Sequence, residues 1–149
     1  MNICRASCSM PYLCQKVNIN NFEYLDGGIT DPIPIKRAIN KGYKKNIVIL
    51  TRNNMYKKKD SILLDFLSKK MYKDYPELII ALNKRIELYN KIINYLENLE
   101  KNKQILVIRP QKVLVGRMTN NKNKLNMFYK QGFEIAEKRI NEIINFIND

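Results

Sequence analysis

The segment Leu25–Pro34, which reads LDGGITDPIP, decides how the predicted fold is organised. It contains two of the five glycines and two of the five prolines of the 149-residue chain. It joins two short β-prone runs, Val17–Ile19 and Phe22–Leu25, to a helix that begins near Pro34. We therefore predict a sharp reversal of the chain here, between a β-hairpin and a helix.

Asp26 lies at the end of the second hairpin strand and has two interpretations. Its side chain could accept backbone N–H groups of the turn, as aspartates in turns often do. It could also act as a general base, because ligands bind at the carboxyl ends of strands in open α/β sheets. Gly27 and Gly28 permit the reversal and leave room for a neighbouring backbone or a substrate. The tripeptide by itself favours the structural interpretation.

The rest of the chain alternates between strand and helix patterns. A helix with Ile35, Ala38 and Ile39 ends at Gly42, and the run Ile47–Leu50 predicts a strand buried on both faces of a parallel sheet. We group the second hairpin strand, this helix and this strand as a βαβ unit. The later elements are a helix capped by Asp60 or Ser61 and ending near Tyr72, a long helix from about Pro76 to Leu99, a strand at Gln104–Ile108, and a final helix from about Asn121 to Ile147.

This order of elements predicts an α/β fold, specifically a partial three-layer α/β/α sandwich with a small, mainly parallel sheet and a β-hairpin. We expect one partial domain over residues 1–149. Its first part, about residues 1–52, holds the hairpin and the βαβ unit, and about residues 53–149 hold the remaining helices and the last strand.

The composition is strongly basic, with 27 Lys and Arg residues against 14 Asp and Glu residues and a formal net charge of +13. Such a charge is typical of proteins that bind nucleic acid or anionic membranes. The lysines are spread along the whole chain, however, and no nucleic-acid-binding motif accompanies them. Solvated surfaces are the simpler interpretation, and we expect no nucleic-acid partner.

The cysteines and the hydropathy pattern indicate the cellular compartment. Cys4, Cys8 and Cys14 fit neither a disulfide framework nor a CxxC metal site, and the absence of histidine excludes mixed Cys/His zinc sites. No run approaches the roughly 18 apolar residues of a membrane span, and the first residues make a poor signal peptide. We expect a cytoplasmic protein without a transmembrane segment, a metal or a cofactor.

Several motifs, taken in their order, resemble the patatin-like phospholipase family, in particular the later half of its bacterial members. They are the ASxSxP segment at Ala6–Pro11, the DGG motif at Asp26–Gly28, the DPIP that follows at Asp31–Pro34, and VILTR at Val48–Arg52. The resemblance continues through Tyr56–Lys59, the long helix and Val107–Pro110, so it covers most of the chain.

The resemblance implies acyl-ester hydrolysis by a Ser–Asp dyad without histidine. In that family a serine within Gly-x-Ser-x-Gly attacks the ester, and the aspartate that matches Asp26 activates it, supported here by Gly27 and Gly28. Here the glycines stand at positions 27, 28, 42, 116 and 132, so neither Gly-x-Ser-x-Gly nor a glycine-rich oxyanion loop can be written. We expect a C-terminal fragment that carries the base, lacks the nucleophile and is inactive alone.

The implied substrate is a lipid or another acyl ester, bound once the missing N-terminal half completes the site. The basic loop after the Ile47–Leu50 strand could contact phospholipid head groups and an anionic membrane surface through Arg52, Lys57, Lys58 and Lys59. A solvated loop is the simpler interpretation of these four residues. The alternative function is a basic nucleic-acid-binding or partner-docking module without enzymatic activity.

Overall fold

The computed structural model describes residues 1–58, 62–116 and 118–148, which form a mixed α/β fold of small sheets and helices. In chain order the elements are α1 (Asn2–Ser7), β1 (Val17–Ile19), β2 (Phe22–Tyr24), a 3₁₀ turn (Gly27–Ile29), α2 (Ile35–Asn40), β3 (Ile47–Ile49), α3 (Ile62–Met71), α4 (Pro76–Lys101), β4 (Leu106–Ile108), α5 (Lys122–Lys138) and α6 (Ile140–Asn148). None of these helices has the length and apolar character needed to cross a membrane.

The chain divides into two compact units. Unit 1 comprises Met1–Pro34 and Lys58–Asn94, and unit 2 comprises Ile35–Lys57 and Tyr95–Asp149. Helix α4 therefore contributes its first five turns to unit 1 and its end to unit 2.

Unit 1 contains the predicted β-hairpin. Strands β1 and β2 pair antiparallel, with Val17 opposite Tyr24 and Ile19 opposite Phe22. Asn20 and Asn21 form the turn with φ of 52° and 65°. Asparagine tolerates this left-handed conformation better than most residues, which is why the local sequence predicts the hairpin correctly.

The core of unit 1 forms around three buried side chains, Ile29, Tyr72 and Leu82. They come from the 3₁₀ turn, the residue after α3 and the first part of α4. Partly buried apolar residues pack against them, namely Tyr12, Leu25, Leu78, Ile79 and Ala81. The turn that contains Asp26 is thus anchored by Ile29, two residues beyond Gly27.

Unit 2 contains a two-stranded parallel sheet. Strand β3 pairs with β4 so that Val48 lies opposite Val107, and both side chains are buried. Leu96 and Leu99 at the end of α4, together with Ile105 and Leu106, are also buried in this unit. The prediction that both runs are parallel strands is confirmed.

The predicted βαβ unit is wrong, because β2 pairs with β1 and β3 pairs with β4 in two separate sheets. The predicted burial of Ile47–Leu50 on both faces is wrong as well. Val48 is 9% exposed, whereas Ile49 is 74% exposed. The side chains of β3 alternate, with Val48 buried and Ile47 and Ile49 exposed, as expected of a strand that is covered on one face.

The predicted final helix consists of two helices that are separated at Arg139. Asn121 caps α5 through a bond from the Lys124 backbone N–H, and Arg139 leaves helical geometry with ψ of 9°. The long helix from Pro76 and the short helix α2, which is followed by Gly42 at φ of +88°, are confirmed. Asp60 and Ser61, the predicted cap of α3, lie outside the described residues.

Candidate site at the Asp26 turn

The half-buried Asp26 side chain caps the 3₁₀ turn that follows β2. Its Oδ1 accepts a hydrogen bond from the Gly28 backbone N–H at 2.7 Å. Its backbone N–H donates to the Ser9 carbonyl at 2.8 Å, and its carbonyl accepts from the Ile29 N–H at 3.2 Å. Backbone and side chain are therefore both held in one position.

The two glycines of the turn have different structural requirements. A Cβ atom on Gly28 would lie 3.0 Å from Asp26 Oδ1, which is closer than an ordinary van der Waals contact. A Cβ atom on Gly27 would lie 3.7 Å from the Ser7 hydroxyl oxygen, which is an ordinary contact. Gly28 is thus the position where a side chain would displace the carboxylate.

The second carboxylate oxygen, Oδ2 of Asp26, accepts no hydrogen bond from the described residues. A carboxylate with one oxygen anchored and the other open can accept a proton at a defined point. Within residues 1–58, 62–116 and 118–148, no cluster of three or more His, Cys, Asp or Glu side chains could hold a metal ion.

The serine and cysteine side chains of the first 14 residues differ in what they contact. The buried Ser9 hydroxyl donates to the Arg5 carbonyl at 2.8 Å and is a local polar contact. Ser7, at the end of α1, is exposed, and its hydroxyl oxygen would lie 3.7 Å from a Cβ atom placed on Gly27. The cysteine thiols are exposed and unpaired, at Cys4, Cys8 and Cys14.

A charged triad links the hairpin to the start of α4 in unit 1. The Lys16 ammonium donates to Glu23 Oε2 at 2.6 Å, and the Tyr75 hydroxyl donates to the same oxygen at 2.7 Å. The hydrogen bond from Lys16, together with that from Tyr75, lowers the pKa of Glu23 below its ordinary value of 4.5. The hydrogen bond to Glu23 in turn raises the pKa of Lys16 above 10.5.

The predicted head-group residues do not form one described cluster. Arg52 is half-buried in unit 2, with its guanidinium 4.8 Å from the Tyr56 ring centre, and Lys57 is exposed. Lys58 belongs to unit 1, where its backbone N–H and carbonyl both bond to the Asn90 side chain at 3.1 Å. Lys59 lies outside the described residues. Lys58 is therefore anchored through its backbone, and it is half-buried.

A cavity of about 300 Å³ in unit 1 is a feature that the sequence does not reveal. The Tyr12 hydroxyl and the buried Ser68 hydroxyl, which both contact it, lie 2.6 Å apart, and Ser68 donates to the Leu64 carbonyl. The Arg85 guanidinium stands 5.8 Å from the Tyr12 ring centre. Tyr12 and Ser68 are 56 positions apart, so no local pattern could have brought them together.

Two similarities to other proteins were found. Residues 75–148, just under half of the chain, match a family described as a domain of unknown function (DUF6363). A stretch of 52 residues is 40% identical to the uncharacterized protein YjjU of Escherichia coli (strain K12). The stretch covers 34% of this chain and 15% of that protein, so the chain spans a small part of the relative that it matches.

These similarities show that the expected membership of the patatin-like phospholipase family is wrong. The matching family is a different one, of unknown function, and the relative carries no phospholipase description. The geometry explains why the DGG motif misleads. Asp26 caps the turn through the Gly28 N–H, and a Cβ atom on Gly28 would crowd the Asp26 carboxylate, so the turn gives Asp26 and Gly28 a structural role that does not depend on that family.

Proposed function

We propose that Asp26 is the general base of an acyl-ester hydrolase site whose nucleophilic serine is supplied from outside this chain. The observation that carries this proposal is the fixed Asp26 carboxylate, with Oδ1 anchored at 2.7 Å and Oδ2 open among the described residues. The side chain is half-buried, so part of its surface is open to a substrate. Within this chain, which contains no histidine, a carboxylate is the available base.

The proposed reaction has two steps that use the same oxygen. As the serine oxygen attacks the ester carbonyl, its proton moves to Asp26 Oδ2, and the departing alcohol then takes that proton. In the second step Asp26 accepts a proton from water while the water attacks the acyl-serine. The acid leaves, the serine recovers its proton, and Asp26 is again ionised.

The proposed substrate is a lipid ester, with peripheral contact to an anionic membrane surface. Positive charge at Arg52, Lys57 and Lys58 supports attraction to phosphate head groups. The exposed, unpaired thiols of Cys4, Cys8 and Cys14 support a reducing cytoplasmic location. The parallel pairing of β3 with β4, in a unit that also contains helices, supports a three-layer α/β/α sandwich.

The test begins with translation of the DNA that flanks the coding region, to find a Gly-x-Ser-x-Gly segment that can be expressed with this chain. We expect the longer protein to hydrolyse p-nitrophenyl esters and the chain alone to be inactive. Asp26→Asn keeps an oxygen that can accept the Gly28 N–H, so the turn should persist while kcat falls by about 100-fold or more. Asp31→Asn, an exposed position in the same loop, is the matched control and should retain full activity.

Three results would overturn the proposal. Full activity of the Asp26→Asn variant of the longer protein would show that Asp26 is not the base. A longer protein without esterase activity would show that the completed site does not hydrolyse esters. Ester hydrolysis by the chain alone would contradict the external nucleophile. Ser7→Ala would then show whether the exposed serine beside Gly27 is responsible.

A further inference from the structure

Strand β3 has one edge that pairs with β4 and one edge that does not. The Leu106 N–H donates to the Asn46 carbonyl at 3.0 Å, and the Leu50 N–H donates to the Ile108 carbonyl at 2.8 Å. In a parallel ladder this pattern directs the backbone groups of residues 46, 48 and 50 towards β4. The N–H and C=O groups of Ile47 and Ile49 therefore point to the opposite edge, where no described residue bonds to them.

The outer edge of β4, by contrast, is occupied. The same alternation directs the Val107 backbone groups away from β3, and the Val107 carbonyl accepts a hydrogen bond from Arg139 at 2.6 Å. Val107 is 1% exposed, whereas Ile49 is 74% exposed. The sheet is thus closed on the β4 side and open on the β3 side.

An apolar groove of about 400 Å³ lies on the sheet face that carries Ile49. Its walls include the ends of both strands and the side of α5, with contributions from Ile49, Ile108, Pro110, Phe128, Phe133 and Ala136. Residues paired across a sheet place their side chains on the same face. A side chain of a strand paired beside Ile49 would therefore point towards this groove.

The residues that flank β3 are basic. Lys44 and Lys45 precede the strand, Arg52 follows it, and no acidic residue lies between positions 44 and 52. Charged residues beside an edge strand discourage pairing with like-charged strands and favour oppositely charged ones. With a net charge of +13, this chain also disfavours a second copy of itself as the partner.

We infer that the open edge of β3 binds an extended segment of another polypeptide, apolar at its centre and acidic at its ends, as an added strand. Backbone bonds to Ile47 and Ile49 provide affinity, and the groove beside Ile49 selects an apolar side chain. The flanking lysines and Arg52 select acidic ends. This inference concerns unit 2 and does not rest on the proposed role of Asp26.

A synthetic peptide, acetyl-Asp-Asp-Val-Ile-Val-Ile-Asp-Asp-amide, provides the probe for a titration of the full chain by NMR. We expect saturable binding, with slowed hydrogen exchange of the Ile47 and Ile49 amides. A second peptide, with proline in place of the first isoleucine, lacks one backbone N–H donor and should bind at least about tenfold more weakly. A third, with lysines in place of its aspartates, should not bind.

Two protein variants locate the binding surface. Ile49→Lys places a charge beside the groove and should weaken peptide binding by about tenfold or more. Ile144→Lys, an equally drastic change at an exposed position of α6, should leave binding unchanged. Circular dichroism establishes that both variants fold. If Ile49→Lys does not fold, the exchange rates of Ile47 and Ile49 in the wild-type chain still decide the question.

Three results would overturn the inference. Equal binding of the proline peptide would exclude strand addition, and unchanged exchange at Ile47 and Ile49 with bound peptide would place the peptide elsewhere. Self-association of the chain in analytical ultracentrifugation that Ile49→Lys abolishes would show that a second copy, and not an acidic partner, occupies the edge.

Discussion

The Arg139 guanidinium donates a hydrogen bond to the Val107 carbonyl at 2.6 Å, so one side chain joins the break between α5 and α6 to the edge of the parallel sheet. The same guanidinium bonds to both carboxylate oxygens of Glu142 at 2.7 and 2.8 Å. The hydrogen bonds from Arg139 lower the pKa of Glu142 below its ordinary value of 4.5. Arg139 thus both ends α5 and satisfies a buried carbonyl.

Replacing Arg139 should therefore destabilise unit 2. Arg139→Met leaves the Val107 carbonyl buried without its partner, and we expect a loss of about 1–3 kcal/mol in the free energy of unfolding. The matched control, Glu142→Gln, removes the exposed ion pair but keeps the bond to Val107, so its cost should be below about 1 kcal/mol. Urea denaturation measures both. Equal losses in the two variants would show that the ion pair, and not the carbonyl bond, is what matters.

Local sequence patterns predict the secondary-structure elements. They do not predict which strands, distant along the chain, pair with each other. The consecutive Asn20 and Asn21 predict the hairpin, and the apolar spacing from Pro76 onward predicts α4, because both depend on neighbouring residues. The partner of a short strand is not a local property. A three-residue β3 pairs with a β4 that follows two intervening helices, and nothing in its own sequence excludes β2 as the partner.

The same distinction applies to the candidate site. The cap from Asp26 to Gly28 spans two residues and follows from the sequence LDGG. The bond between Tyr75 and Glu23 spans 52 positions and depends on how α4 is placed against the hairpin. The Arg139–Val107 bond spans 32 positions and ends a helix that the apolar pattern alone would continue.

The turn geometry predicts opposite tolerance at its two glycines. Gly28→Ala brings a Cβ atom to 3.0 Å from Asp26 Oδ1, so the carboxylate must move and its cap must lengthen. We expect this variant to lose about 1 kcal/mol of stability in urea denaturation. Gly27→Ala makes an ordinary 3.7 Å contact and should change stability by less than about 0.5 kcal/mol. A reversed order would contradict the described turn.

The Lys16–Glu23–Tyr75 triad predicts a dependence of stability on pH. The folded-state pKa of Glu23 lies below 4.5, so its contribution is fully present above that pH and is lost as the pH falls through the folded value. Glu23→Gln should therefore lower the urea midpoint at pH 7 and have no effect once the wild-type carboxylate is protonated. Glu97→Gln, at an exposed position of α4, is the control and should show no such convergence. A pH-independent difference for Glu23→Gln would contradict the triad.

The net charge of +13 should not by itself produce DNA binding. Six cations lie between 3.9 and 5.8 Å from aromatic ring centres within the described residues, so part of the positive charge stabilises the fold: Lys16, Lys36, Lys45, Arg52, Lys58 and Arg85. We expect no binding of a fluorescein-labelled duplex at roughly 0.15 M salt, measured by anisotropy. Binding that weakens steeply with added salt would instead support the nucleic-acid-binding alternative.

The buried Tyr72 hydroxyl should be essential to the stability of unit 1. It accepts the Tyr12 backbone N–H at 3.0 Å, and the two rings pack with their centres 5.8 Å apart. Tyr72→Phe keeps the ring contact but leaves the Tyr12 N–H without an acceptor, so we expect a loss of about 1–3 kcal/mol in urea denaturation. Tyr129→Phe removes the same atom at a position that is 72% exposed and should cost less than about 0.5 kcal/mol. Similar losses in both variants would show that the hydroxyl–backbone bond adds nothing to stability beyond what an exposed hydroxyl contributes.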